Sequence, residues 1–250
     1  IGEQCEQKYH DLGFLIGHKN DNFDARGFFQ DDFKSGFLTS NNESVLLYAV
    51  NYICETKNTN LNIVQKIIDI SKKFKKNLRV DEKSLDYLIS PLTLAASEGH
   101  TNLVELLLSN GANVNQVDNE GRTALAIASD SGFKEIVEII INSYKPDLNI
   151  LDENGECALI LSIISGYYEI ADILIKNGCE VNNIESFEGN TPLLLAIKRR
   201  VNNIAISLIE KNADISVQDI NGQTALDLVN ETNNNVIRSL IIVKMNELSE

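Results

Sequence analysis

The chain has 250 residues, 43% apolar and 23% charged, enough to bury a core in one or two domains or along one elongated array. Its 22 Lys and Arg against 36 Asp and Glu leave a net charge of −14, the wrong sign for gripping a nucleic-acid backbone. No apolar run approaches the roughly 18–20 residues of a membrane span, and Cys5, Cys54, Cys157 and Cys179 form no CxxC pair that would suggest zinc or a disulfide framework.

A reduced, cytoplasmic compartment is the plain reading of that cysteine usage. The chain opens at Ile1 without Met, as an excised piece of a longer protein would. Thirty Asn and thirty Ile are a bias typical of AT-rich genomes. Residues 1–43 show no period and hold six of the nine Phe: Phe14, Phe23, Phe28, Phe29, Phe33 and Phe37. They are expected to form an irregular or short-helical cap over the open apolar face of the first regular unit. The sharper alternatives are a binding segment or the tail of a catalytic domain. Cys5, His10, His18 and Asp11 invite a nucleophile reading, but no motif holds them in register.

From Ser44 the pattern becomes regular. Ser44-Val45-Leu46-Leu47-Tyr48-Ala49 reads as a first helix and Leu61 to Ile68 as a second. Leu46 precedes Leu92 by 46 residues, about 13 more than the later spacing, and the excess divides between Ile53–Asn58 and Val80–Ile89. Five segments then begin alike: Ser90-Pro91-Leu92, Thr123-Ala124-Leu125, Cys157-Ala158-Leu159, Thr191-Pro192-Leu193 and Thr224-Ala225-Leu226. Their leucines are 33, 34, 34 and 33 residues apart.

Each unit describes the same object. A hydroxyl caps the first helix, and Pro suits its first position. Small residues such as Ala95, Ala96, Ala128 and Ala196 permit close approach, and Gly99, Gly132 and Gly166 break the helix. A second helix comes next, with apolar residues at helical spacing, as in Leu103, Val104, Leu107 and Leu108. Gly111 and Gly178, and Asn212 once, end that helix where a left-handed residue is wanted. The link turns at Asp118-Asn119-Glu120-Gly121, Asp152-Glu153-Asn154-Gly155 and Asp219-Ile220-Asn221-Gly222. Single-residue insertions fall at Ser143–Lys145 and Ser186–Glu188. The last unit has Asn230 at a normally small position and a polar Glu231–Asn235 turn, as a capping repeat would, although Val243 and Met245 would equally suit an array that continues.

Thr-Pro-Leu-x-x-Ala, Gly99-His100, Gly111-Ala112-Asn113-Val114-Asn115 and the 33-residue period resemble ankyrin repeats, over residues 84–250 and, in diverged form, 44–83. The resemblance implies an all-α ankyrin-repeat solenoid of helix–turn–helix units with β-turn fingers. About six repeats are expected, near 44–83, 84–118, 119–152, 153–186, 187–219 and 220–250, after the 1–43 cap. The family often has His after the first Leu; here that place holds Thr93, Ala126, Ile160, Leu194 and Asp227, so its Thr–His network is expected to be missing.

Such arrays bind proteins through a concave face and seldom catalyse, which implies a non-enzymatic, monomeric module without metal or cofactor. Within 84–250 the only histidine is His100, in a structural slot. Carried over position by position, the expected contacts are Asn119, Glu120, Arg122, Asp130 and Ser131, then Glu153, Asn154, Glu156, Ile164 and Ser165. Counting the five clear units from residue 84, the fourth adds Phe187, Glu188, Asn190, Lys198 and Arg199, and the fifth Ile220, Asn221, Gln223, Glu231 and Thr232. Phe187 stands out as an aromatic anchor. Residues 84–250 carry 10 basic and 24 acidic residues, the whole net charge, whereas 44–83 carry 8 basic and 4 acidic, including Lys72, Lys73, Lys75 and Lys76. A partner protein with a basic contact region is therefore expected. An inhibitor of a basic protein and a host-directed effector of an intracellular bacterium or parasite both fit. The alternative is the substrate-recruiting part of a larger enzyme whose catalytic domain lies upstream, and a further one is a scaffold with two partners on opposite faces.

Overall fold

Twelve helices in antiparallel pairs arise from the repeated caps and breaks, as seen in a computed structural model that describes residues 45–56, 61–73, 80–81, 83 and 88–247. The Phe-rich segment 1–43, with Cys5, His10, Asp11 and His18, lies outside the described residues, as do Ser44, Lys75 and Lys76. The inner helices are α1 (Val45–Thr56), α3 (Pro91–Ser97), α5 (Ala124–Ser131), α7 (Ala158–Ile164), α9 (Pro192–Lys198) and α11 (Ala225–Glu231). The outer helices are α2 (Asn62–Lys73), α4 (Thr101–Ser109), α6 (Lys134–Tyr144), α8 (Tyr168–Lys176), α10 (Asn202–Glu210) and α12 (Asn235–Glu247). Inner helices pack on inner helices in chain order, and from α4 onward outer pack on outer. The only extended pairing among the described residues is an isolated bridge from Val117 to Thr123.

Inner helices are short because their caps and breaks are close together. Thr123, Thr191 and Thr224 each accept from the third helical N–H, and Ser90 closes a capping box with Thr93. Thr93 thus spends its hydroxyl locally. Cys157 holds the same place without a side-chain cap. Ala95, Ala96, Ala128 and Ala196 are fully buried, so the inner layer is built from backbones in close approach. Leu92, Leu125, Leu159 and Leu193 lie at equal depth, 0–1% exposed. Leu226 departs from them and is only partly buried, since α12 packs on α11 but no further described inner helix stacks on it. In the diverged first pair, Leu46, Ala49, Val50 and Ile53 of α1 and Val64, Ile67 and Ile68 of α2 join the same core.

A row of side chains stitches the units together below the fingers. Asn115, Asn149 and Asn182 each accept, through Oδ1, the backbone N–H of the next unit at Asp147, Glu180 and Asp214 (2.8–2.9 Å). Asp81 does this for Asn113 at 2.7 Å, which places the diverged unit in register despite its extra length. Of the two insertions, Ser143–Lys145 lengthens α6 and ends it with Lys145 in the left-handed region (φ +45°).

The break between inner and outer helices is left-handed in all five clear units, at Gly99, Gly132, Gly166, Arg200 and Asn233. At Gly99 and Gly132 a second constraint applies. A Cβ on Gly99 would lie 2.6 Å from the Phe133 ring of the next unit, and one on Gly132 2.3 Å from the Tyr167 ring. In the unit after Arg200 the position of Phe133 and Tyr167 is held by Asn234, which carries no ring, and Arg200 takes the break at φ +59°. Gly178→Ala, with open space at φ +82°, is expected to cost about 1–2 kcal/mol from backbone strain alone. Gly132→Ala should cost more, and adding Tyr167→Ala should recover part of the excess. Denaturant midpoints of the two single variants and the double check this; equal costs for Gly132→Ala and Gly178→Ala would disprove it.

Candidate functional site

Each finger is a tight turn whose backbone N–H groups point inward, where neither helix offers an acceptor. A buried carboxylate at the root of the turn supplies one. Asp118 Oδ1 accepts from the N–H of Glu120 and Arg122, both at 2.9 Å. Asp152 Oδ1 does so from Asn154 and Glu156 (2.9 and 2.8 Å), and Asp219 Oδ1 from Asn221 and Gln223 (2.8 and 3.0 Å). In the fourth finger, one residue longer, Glu185 reaches the N–H groups of Phe187, Glu188 and Asn190. Successive fingers join through Glu153 N–H to Glu120 O, Ser186 N–H to Asn154 O and Ile220 N–H to Glu188 O, each 2.9 Å. The result is a continuous ledge along the inner helices.

A buried carboxylate needs a counter-charge, and the fingers differ in where they find it. The side chain of Asp118 is 3% exposed and pairs with the Arg122 guanidinium at 3.1 Å, which also reaches Glu120. The side chain of Asp219 is inaccessible to solvent, and Lys198 of the preceding unit sits 2.9 Å away while reaching Glu188 at 3.3 Å. Burial pushes Asp219 up, but the Gln223 N–H, Lys198 and the Asn221 N–H together hold it below the usual carboxylate range. Glu185 behaves alike: burial raises it, and the N–H groups of Asn190, Glu188 and Phe187 more than offset this.

Asp152 has neither kind of cation. The place that Arg122 takes beside Asp118 is taken beside Asp152 by Glu156. The place that Lys198 takes before Asp219 is taken before Asp152 by Asp130. Burial first, then the charges of Asp152, Glu185 and Asp130, push the Glu156 carboxyl above its ordinary value. Ser165 donates to Asp130 at 2.5 Å, which fixes that carboxylate on the ledge without neutralising it. The centre of the concave surface is therefore a cluster of acids with no ion pair among the described residues.

Of the expected contact residues, Asn119, Glu120, Ser131, Glu153, Asn154, Ser165, Phe187, Glu188, Arg199, Ile220, Asn221 and Glu231 are exposed. Arg122, Asp130, Glu156, Ile164, Lys198, Gln223 and Thr232 are half-buried. Asn190 corrects the expectation: it is 1% exposed, and its amide donates to Glu185 and Glu188 at 2.9 and 3.0 Å, so it is a strut inside the finger. Arg122 and Lys198 are committed to buried acids. Gln223 donates to Glu231 at 2.6 Å, and Thr232 donates back into its own helix at Leu228. The root carboxylates were legible as turn residues in the repeated Asp-x-x-Gly, but their charge balance depends on neighbouring units. Cys54, Cys157 and Cys179 are buried and not joined in disulfides, and burial followed by the proximity of Cys157 pushes Cys179 up to about 12, so it is a core thiol. Among the described residues no group of His, Cys, Asp and Glu is arranged to hold a metal ion, and no helix is long and apolar enough to cross a membrane.

Known proteins share this pattern. The family model described as ankyrin repeats (3 copies) matches residues 46–152, 92–185 and 143–219. A 54-residue stretch is 46% identical to the E3 ubiquitin-protein ligase XBAT33 of Arabidopsis thaliana. That stretch is 22% of this chain and spans only 10% of the ligase.

A carboxyl held above its ordinary pKa subtracts stability while ionised. The penalty from Glu156 is full above its raised folded value and disappears as pH falls to the value of the unfolded chain. Glu156→Gln is therefore expected to melt at a higher temperature than the parent at neutral pH and to converge with it in mild acid. Glu185 and Asp219 work in the opposite sense: their contribution is full above the ordinary carboxylate range and is lost as pH falls through their lowered folded values. Melting curves of the parent and Glu156→Gln across pH 4–8 check this, and a constant difference over that range would refute it.

Proposed function

The chain belongs to the ankyrin-repeat family, and from that premise we propose that its concave ledge binds a partner protein through a basic contact region. Ankyrin repeats are typically non-catalytic and serve protein–protein interaction; the basic contact is the finer part of the reading. One observation carries it. Two fingers of the same chain neutralise their root acids internally, with Arg122 and Lys198, whereas the central finger has Glu156 and Asp130 in those places. A lysine or arginine from outside completes there what the neighbours complete themselves. The −14 charge of residues 84–250 supports the same partner at longer range, by drawing a basic surface in before contact.

Whether the consequence is to block a basic protein or to dock an effector on one, the physical act is the same. A second reading has specific support. The partly matching Arabidopsis protein is named an E3 ubiquitin-protein ligase, which favours a module that presents a bound protein to a catalytic part elsewhere in a longer chain. Both readings use the same ledge.

A photo-crosslinking residue in place of Asn154, on the central finger, tests it against one in place of Asn142, exposed on the outer helix α6. In extracts of the source cell, the Asn154 position is expected to capture a protein through a Lys- or Arg-rich segment. Its yield should fall as salt rises from about 50 to about 500 mM, where screening shortens to a few ångströms. Equal capture from both positions, or capture indifferent to salt, would overturn the proposal.

A further inference from the structure

The ledge is not uniform, and its two ends ask for different chemistry. Units two and three present Asp130, Glu153 and Glu156 without a cation. In units four and five Lys198 lies between Glu188 and Asp219, and the root acid Glu185 is held by three backbone N–H groups. Over that neutralised stretch stand the two most exposed large apolar side chains of the described residues, Phe187 at 70% and Ile220 at 68%.

Phe187 is held there by construction. The fourth finger has one more residue than the others, and its root residue is Glu where the described neighbours have Asp. The extra methylene of Glu185 spans the insertion. An Asp accepts from the second and fourth residues after it, whereas Glu185 accepts from the second, third and fifth. The Phe187 N–H itself is bound to Glu185 Oε2 at 2.6 Å, and Asn190 braces both Glu185 and Glu188. On the other side, Ile220 N–H donates to Glu188 O, and a Cβ on Gly189 would lie 3.6 Å from Ile220 Cγ2, so Ile220 leans on the finger that carries Phe187. Two exposed apolar groups on a pre-ordered turn form contact surface without the entropy of ordering a loop.

We propose that Phe187 and Ile220 form an apolar platform for the same partner and that the partner segment is polarised. Its Lys or Arg residues lie over units two and three, and an aromatic or aliphatic side chain next to them in sequence lies on fingers four and five. This rests on the reading of the ledge as a binding face. Charge complementarity at one end and its absence at the other set the direction of the segment. The acids govern salt-sensitive capture, and the platform governs retention. Glu185 is the positioning residue of the platform and does not itself contact the partner.

The test uses the full chain, immobilised and panned against a random twelve-residue peptide library displayed on phage. Enriched peptides are expected to carry clustered Lys or Arg and, separated from them, an aromatic or aliphatic residue. Phe187→Ala/Ile220→Ala should weaken these peptides about tenfold or more at low and high salt alike, mainly through faster dissociation. Asp130→Asn/Glu156→Gln should weaken them at low salt only. Both double variants are expected to keep the parental helical circular-dichroism spectrum, and hydrogen exchange at Phe187 and Glu188 should quicken in Glu185→Asp. If the acid variant weakens binding while the platform variant does not, the platform falls and the ledge reading stands. If neither variant changes binding, both fall. Enrichment of peptides without the basic–apolar pattern, or no enrichment at all, also overturns the polarised segment.

Discussion

A tight turn at the end of an antiparallel helix pair leaves inward-pointing N–H groups with nothing to bind. The whole concave surface derives from how this chain meets that demand. A carboxylate buried at the root of each of the four fingers from Asp118 to Gly222 accepts two or three of those bonds, which orders the turn and lets its edge join its neighbour. The solution puts one negative charge per unit in a place largely closed to water. A neutral amide oxygen would accept the same N–H groups more weakly, and an uncompensated acid raises the energy of its neighbours. Each unit must therefore obtain a counter-charge or tolerate its absence, and the binding surface is the record of which it does.

That choice divides the residues at contact positions into two kinds. Arg122 and Lys198 occupy places where a recognition surface keeps its polar groups, yet each holds a buried acid, so truncating either leaves an unpaired charge in the interior. Their loss would register as lost stability before it registered as lost binding. Glu153, Asn154, Phe187, Arg199 and Ile220 are exposed and form no ion pair with a buried acid among the described residues. These can vary without disturbing the stack. On the outer layer Lys134 pairs with Glu169 across units in an exposed ion pair, and Thr101 donates to Glu135 of the next unit.

Periodicity makes the helices legible because each unit repeats the same cap, break and apolar spacing, and those are local properties. Ser90, Thr123, Thr191 and Thr224 can be read as caps from their own neighbours. Local reading does not reach the side-chain choices settled between units. Asn190 occupies the same motif position as Arg122, Glu156 and Gln223, but the extra residue in its finger and the longer Glu185 draw it inward. Lys198 meets Asp219 from 21 residues away, across a helix pair. Leu226 carries the same motif as Leu92 and Leu159 and ends only partly buried, because burial of that leucine is supplied by the next unit. The diverged first unit is visible in its apolar pattern, whereas its register depends on Asp81, where later units use Asn.

The strained centre of the ledge has a thermodynamic consequence for binding. An ammonium or guanidinium placed among Asp130, Asp152 and Glu156 lowers the pKa of the carboxyl that burial and like charges had raised. By linkage, the proposed basic partner would expel a proton in the pH range where Glu156 is partly protonated, and its affinity would rise with pH across that range. The same event removes the repulsion that weakened the free fold, so the complex gains stability at the site where the free chain has a deficit. A hydrophobic contact at Phe187 and Ile220 has no such coupling to protons or salt. On the proposed reading, two stretches of one surface, built on the same turn and the same kind of buried acid, would thus respond to different solution variables, because Lys198 serves Glu188 and Asp219 while Asp130, Asp152 and Glu156 have no ion pair among the described residues.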